Sequence, residues 1–221
     1  MAKAHNQWAY FFANLNKVDA KQRDETLAEL ASAYFIENFT GASLNIWWPI
    51  GRNGTPADYE FTIFGLSVFC EVKSPGWEAA IVREEGKSAS RLKLPKYLNA
   101  EFRPVDNSFD LRCCLEKAYP NLPQDRPTMI MVVDDLFFPL RYDDLAIDRV
   151  LHDPARNGCF TSKEFERLGG VGFFNVMCQG GNIQYYFNLF VNDNALPAVQ
   201  LPDNFISRWQ GSCMFCHKDE K

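Results

Sequence analysis

Two short stretches of this 221-residue chain hold residue types that can carry out hydrolysis together. Asp58 and Glu60 stand in Pro56-Ala57-Asp58-Tyr59-Glu60, and Glu71 and Lys73 in Glu71-Val72-Lys73. Carboxylates gathered beside an ammonium group can hold Mg2+, which prefers oxygen ligands and keeps waters for a substrate to displace. Such an ion polarises a phosphodiester and lowers the pKa of a bound water. Lys73 can then steady the attacking water or the phosphate charge. The chemistry expected is metal-dependent phosphodiester hydrolysis, with Mn2+ as a substitute ion.

The elements around these residues must bring them to one place. Residues 58–64 and 66–73 read as paired strands, rich in aromatic and β-branched side chains, with Gly65 at the turn. If Gly65-Leu66 is the two-residue loop, Phe64 faces Ser67, Glu60 faces Glu71 and Asp58 faces Lys73. Asp58, Glu60, Glu71 and Lys73 then project from one side, while Val68, Cys70 and Val72 join Tyr59, Phe61 and Ile63 in a core. A one-residue slip would send one strand's set to the opposite face. Opposed Glu60 and Glu71 repel, and a bound Mg2+ resolves that conflict, with Glu60 as an optional ligand. The competing reading is a solvated strand face with ordinary surface ion pairs.

Further elements frame this hairpin. Residues 19–39 read as a helix, with Leu27, Leu30, Ala31, Tyr34 and Phe35 at helical spacing, Asp19 as cap and Gly41 past its end. Residues 44–50 form a short apolar strand, and 52–56 a loop. Residues 110–119 read as a helix closed by Pro120, and 128–133 as a buried strand. Residues 173–176 and 183–191 read as strands joined by Gly180-Gly181-Asn182, and 204–210 as a short helix. The expected fold is α/β: a central mixed sheet flanked by helices, in helix–strand–strand–strand–helix–strand order, with a C-terminal α+β extension. One domain spans 1–221, its core about 19–140 and its extension 141–221 packed on that core.

Composition is that of an ordinary soluble protein, 47% hydrophobic and 23% charged, with a net charge of −5 that speaks against a passive nucleic-acid binder. Local basicity lies at Lys87, Arg91, Lys93, Lys96 and Arg103. No apolar run has the length to span a bilayer and no signal peptide opens the chain, so a cytoplasmic protein is expected. Seven cysteines, an odd number, give no disulfide framework and read mostly as small buried hydrophobes.

Asp58 and Glu71-Val72-Lys73 resemble the two half-motifs of the PD-(D/E)XK nuclease superfamily, over roughly residues 25–135. The first half-motif is Pro-Ala-Asp here, not Pro-Asp. The resemblance implies a restriction-endonuclease-like core and a nuclease that acts on nucleic acid, DNA above all. It implies that Asp58 and Glu71 hold Mg2+, that Lys73 assists, and that a glutamate of the first helix joins the metal shell. Glu29 stands at about the usual place, with Glu37 as its rival. Members often carry a further polar or basic residue on the helix after the Glu-x-Lys strand, a place that Lys117 or Asn121 can fill. Many members work as dimers, so a homodimer is an expectation. The superfamily also includes inactive relatives, so a binding or interaction module on this fold is the alternative.

Other motifs compete for attention. Lys93-Leu94-Pro95-Lys96-Tyr97 can grip a phosphate backbone or be a solvated loop. Cys213-Met214-Phe215-Cys216-His217 has the form of half a zinc site, which Cys178 or Cys159 would complete; a frayed tail is the expectation preferred. Of Trp47 and Trp48, adjacent on a strand, at least one belongs to the core.

Overall fold

A computed structural model describes residues 2–16, 20–74, 108–133, 144–179 and 182–217. Its helices and strands, in chain order, are α1 (Ala2–Leu15), α2 (Ala20–Phe39), β1 (Ser43–Trp47), β2 (Tyr59–Ile63), β3 (Leu66–Lys73), α3 (Ser108–Ala118), β4 (Thr128–Val133), α4 (Asp144–Leu151), β5 (Gly170–Gln179), β6 (Asn182–Val191), α5 (Asp203–Trp209) and β7 (Gly211–His217). The seven strands form one mixed sheet in sequence order. β3, β4 and β5 run parallel; every other neighbouring pair is antiparallel. Parallel neighbours need crossovers, and α3 and α4 lie in the two that are required.

β4 is central, and all six of its residues are buried, as its unbroken apolar sequence demands. Alternation along the strands divides the core between the two sheet faces. On one face Phe35 and Ile36 of α2 and Phe205 and Trp209 of α5 cover Tyr59, Phe61, Cys70, Val72, Met131 and Phe187. On the other, Leu111 and Leu115 of α3 and Ile147 and Leu151 of α4 cover Phe69, Ile130, Val132 and Phe173. Among the described residues, no helix is long and apolar enough to cross a membrane.

Several expectations need correction. The apolar face of α2 is rotated from the stripe read in the sequence: Leu27 and Tyr34 are exposed, while Ala28, Ser32, Ala33, Phe35 and Ile36 are buried. The small residues let the helix lie close over Tyr59, whose hydroxyl donates to Ser32 Oγ at 3.1 Å. This rotation has a functional consequence. Glu29 precedes Ser32, Ala33 and Ile36 by three, four and seven positions, so it shares their inward stripe. Glu37 is exposed.

The C-terminal third does not pack on a finished core as an appendage. β5 pairs with β4 from Met129↔Gly170 to Val133↔Phe174, and β6 and β7 continue the same sheet. Nor is Cys213 to His217 frayed, because this segment is laddered to β6 from Phe187↔Cys213 to Ile183↔His217. Trp47 and Trp48 are both half-buried beneath α1, with Phe11 against Trp47 at 4.9 Å and Tyr10 against Trp48 at 4.6 Å between ring centroids.

The β2–β3 loop is Phe64-Gly65, one residue earlier than expected, closed by the Ile63↔Leu66 pair. Both loop residues have positive φ, 50° and 78°, the geometry that matches a right-handed hairpin twist. Gly65 adopts it freely; the exposed Phe64 does so under strain. Phe64→Asn is therefore expected to raise stability by up to about 1 kcal/mol, read from the urea midpoint at unchanged slope.

Candidate active site

The hairpin register decides which carboxylates meet. Because the loop sits one residue early, Glu60 pairs with Phe69 and not with Glu71. The slip moves the ladder by two positions, an even number, so Glu60 and Glu71 keep a common face but lose their direct opposition. Glu60 is instead held by its own partners: the Ser67 hydroxyl donates to Oε1 at 2.5 Å and Arg126 Nη1 to Oε2 at 3.0 Å. Arg126 supplies the positive charge that a metal was expected to supply there. Glu60 is therefore removed from the candidate ligands.

Asp58 sits just before β2 and reaches across to β3, where Oδ2 accepts the Val72 N–H at 2.5 Å. Glu71 is buried, 4% exposed, and both its oxygens are engaged. Lys73 Nζ donates to Oε2 at 2.8 Å, and Asn121 Nδ2 donates to Oε1. Glu29 reaches the same place from α2. Its Oε2 is buried and has no hydrogen-bond partner among the described residues.

The electrostatics follow from this crowding. Burial, then the neighbouring Asp58 charge, push the Glu29 carboxyl up to about 8. Burial also lifts Asp58, to about 6, against the opposing pull of Lys73 and the Val72 N–H. Burial alone would lower the Lys73 pKa, but Glu71, Asp58 and Glu29 together hold it above its ordinary value. The lysine is thus a secured cation, and its side chain remains 30% exposed, within reach of a ligand. With all three ionised, Glu29, Asp58 and Glu71 would set three negative charges against the one Lys73 ammonium.

That imbalance is what a divalent cation would relieve, and the partnerless Glu29 oxygen is a donor fit for it. Glu29, Asp58 and Glu71 are the carboxyl groups nearest to Lys73 in charge interaction. Even so, among the described residues no three of His, Cys, Asp and Glu are already grouped as ligands for one ion. Both Glu71 oxygens are bonded, to Lys73 and to Asn121.

Of the two residues considered for the helix after β3, Asn121 touches the site and Lys117 does not touch Glu71. Asn121 lies on the single 3-10 turn that follows α3, Tyr119–Asn121, and is 4% exposed. Lys117 is exposed on α3, close enough to Cys114 for its charge, like that of Lys73, to act on that thiol. Lys93 and Lys96 lie outside the described residues, as does the rest of the basic segment from Lys87 to Arg103. Cys70 and Cys159 are buried free thiols, and Cys113 and Cys114 are half-buried. Sequence reading missed Ser67 and Arg126 as partners of Glu60, because Arg126 is separated from it by 66 residues.

No protein-family model matches the chain, and no curated protein does. Among solved structures, SfsA of Pyrococcus furiosus in complex with Ca2+ aligns with 16% identity and a TM-score of 0.31. The alignment covers 76% of this chain and 63% of that one, so the chain spans less than two thirds of the length of SfsA. A likeness this slight says nothing about activity.

Proposed function

We propose that the chain is a metal-dependent nuclease that hydrolyses phosphodiester bonds, with DNA as the substrate its sequence resemblance implies. One observation carries the reading: two half-buried carboxyls with raised pKa, Glu29 and Asp58, crowd the Glu71–Lys73 ion pair. Perturbed carboxyls beside a reachable lysine support a functional site over a plain surface ion pair. Glu29, Asp58 and Glu71 hold Mg2+ in this reading. The ion would supply charge for the phosphate and acidify a water. Lys73 offers its remaining N–H donors to the attacking water or a phosphate oxygen. Asn121 and Lys73 orient the Glu71 carboxylate.

A second reading is a nuclease-fold module that binds nucleic acid without cutting it. The observation that favours it is the saturation of Glu71 by two protein donors. Incubation with plasmid, single-stranded DNA and RNA, with Mg2+ or with EDTA, separates the two. Cleavage confined to Mg2+ is the expected result. Intact substrates under every condition, with nucleic acid still bound, would establish the second reading.

A further inference from the structure

Residues 51–55 precede β2 and form a loop that is exposed yet tightly fastened. Gly51 N–H donates to Thr55 O at 2.9 Å and Gly54 N–H to Gly51 O at 3.1 Å. Thr55 N–H donates to Asn53 Oδ1 at 3.0 Å. The loop is then tied to Asn121 at two points. Arg52 N–H donates to Asn121 O at 2.9 Å, and the Thr55 hydroxyl lies 3.0 Å from Asn121 Oδ1. Gly51 is pressed against the same residue, where a Cβ would run into Asn121 Oδ1, Cγ and O. Residues 52–55 are nevertheless exposed.

An exposed loop held this firmly is out of the ordinary, since ordering it costs conformational entropy. What the loop displays is a cation: Arg52 is exposed, and no carboxylate among the described residues pairs with it. Its anchor, Asn121, is the residue whose amide bonds Glu71. One residue therefore bonds both the buried Glu71 carboxylate and the loop that carries Arg52, a guanidinium without a carboxylate partner among the described residues. Rigid presentation removes the ordering cost from binding. A guanidinium fork suits a phosphodiester oxygen pair, with no base-specific content.

We propose that residues 51–55 are a phosphate-gripping loop, with Arg52 the contact to the backbone of a nucleic-acid strand and Asn121 the residue that positions the loop against Glu71. The inference rests on the nuclease reading for the identity of its ligand. Its test does not need cleavage. Binding of a labelled DNA single strand and of its duplex is measured in EDTA over a range of KCl for the full chain, Arg52→Ala, Arg52→Lys and Lys163→Ala. Lys163 is an exposed lysine of the β4–β5 crossover and serves as the control for the loss of any one charge. Arg52→Ala is expected to weaken binding roughly 3–10-fold at low salt and to lower the salt slope by about one, alike for all sequences. Arg52→Lys should keep the slope, and Lys163→Ala should change neither quantity. An unchanged slope in Arg52→Ala, an equal loss in Lys163→Ala, or no binding by the unaltered chain overturns the proposal. A chain that binds through Arg52 yet never cleaves with Mg2+ sinks the nuclease reading and leaves the loop standing. Cleavage with binding indifferent to Arg52 does the reverse.

Discussion

Lys73→Ala is expected to lower Mg2+-dependent cleavage by about 10²–10³-fold while the chain stays folded. Among the described residues Lys73 hydrogen-bonds Glu71, and its ammonium is held by the charges of Glu71, Asp58 and Glu29. Removing it costs the transition state a fixed positive charge in a poorly hydrated site, where such charges act strongly. Asp58→Ala should be at least as damaging, because Asp58 is both a proposed metal holder and the acceptor of the Val72 N–H. The two variants fail differently. Asp58→Ala should lose metal affinity, whereas Lys73→Ala should keep it and lose rate at saturating metal. Steady-state cleavage as a function of Mg2+ concentration reads both. Unchanged cleavage in both variants would end the assignment.

The second large effect is on stability, through pH. In the metal-free chain the folded pKa values of Glu29 and Asp58 lie above the ordinary values of 4.5 and 3.8, at about 8 and about 6. The folded state therefore holds protons that the unfolded chain has released between about pH 4 and pH 8. Stability should be greatest below that window and fall as pH rises through it, the reverse of a salt-bridged carboxylate. Mg2+ competes with these protons, so its stabilising effect should be small at pH 5 and grow towards pH 8.5. An ion at a hundred times its dissociation constant adds about 2.7 kcal/mol. Thermal unfolding across pH, with and without Mg2+, tests this. Glu29→Gln should flatten the metal-free pH profile and shrink the Mg2+ effect. An Mg2+ effect equal at both pH values would contradict the assignment of these carboxyls to the metal.

Much of the frame was legible because local pattern and final environment agree. The all-apolar run Thr128–Val133 has the composition of a strand buried on both faces, and it is one. The helix read as 19–39 is Ala20–Phe39, bounded by Gly41 at φ 76°. Where pattern and packing disagreed, pattern failed. Large side chains pointed to Leu27 and Tyr34 as the inner face of α2, but close approach to Tyr59 favoured Ala28, Ser32 and Ala33. Gly65 marks the turn because glycine tolerates positive φ; nothing local reveals that Phe64, at φ 50°, shares the loop with it.

Two elements hid behind stronger signals. α1 carries Trp8, Phe11, Phe12 and Leu15 at helical spacing, a helix absent from the elements expected. The cysteines of β7 drew attention to zinc and away from its strand pairing. The site itself was half visible. Asp58, Glu71 and Lys73 announce themselves by spacing within one hairpin. The contacts that define their environment come from afar: Asn121 lies 50 residues from Glu71, and Arg126 lies 66 from Glu60. No periodicity reports a tertiary hydrogen bond. Glu29 needed the rotation of α2 to be separated from Glu37.

The decisive measurement is calorimetric titration of Mn2+ into the chain at pH 8, beside Glu29→Gln and Asp58→Asn. Saturable binding of divalent metal by the unaltered chain, weakened at least tenfold in both variants, is the expected result. No heat of binding in the unaltered chain, or binding that both substitutions leave intact, would show that these carboxyls are not a metal site.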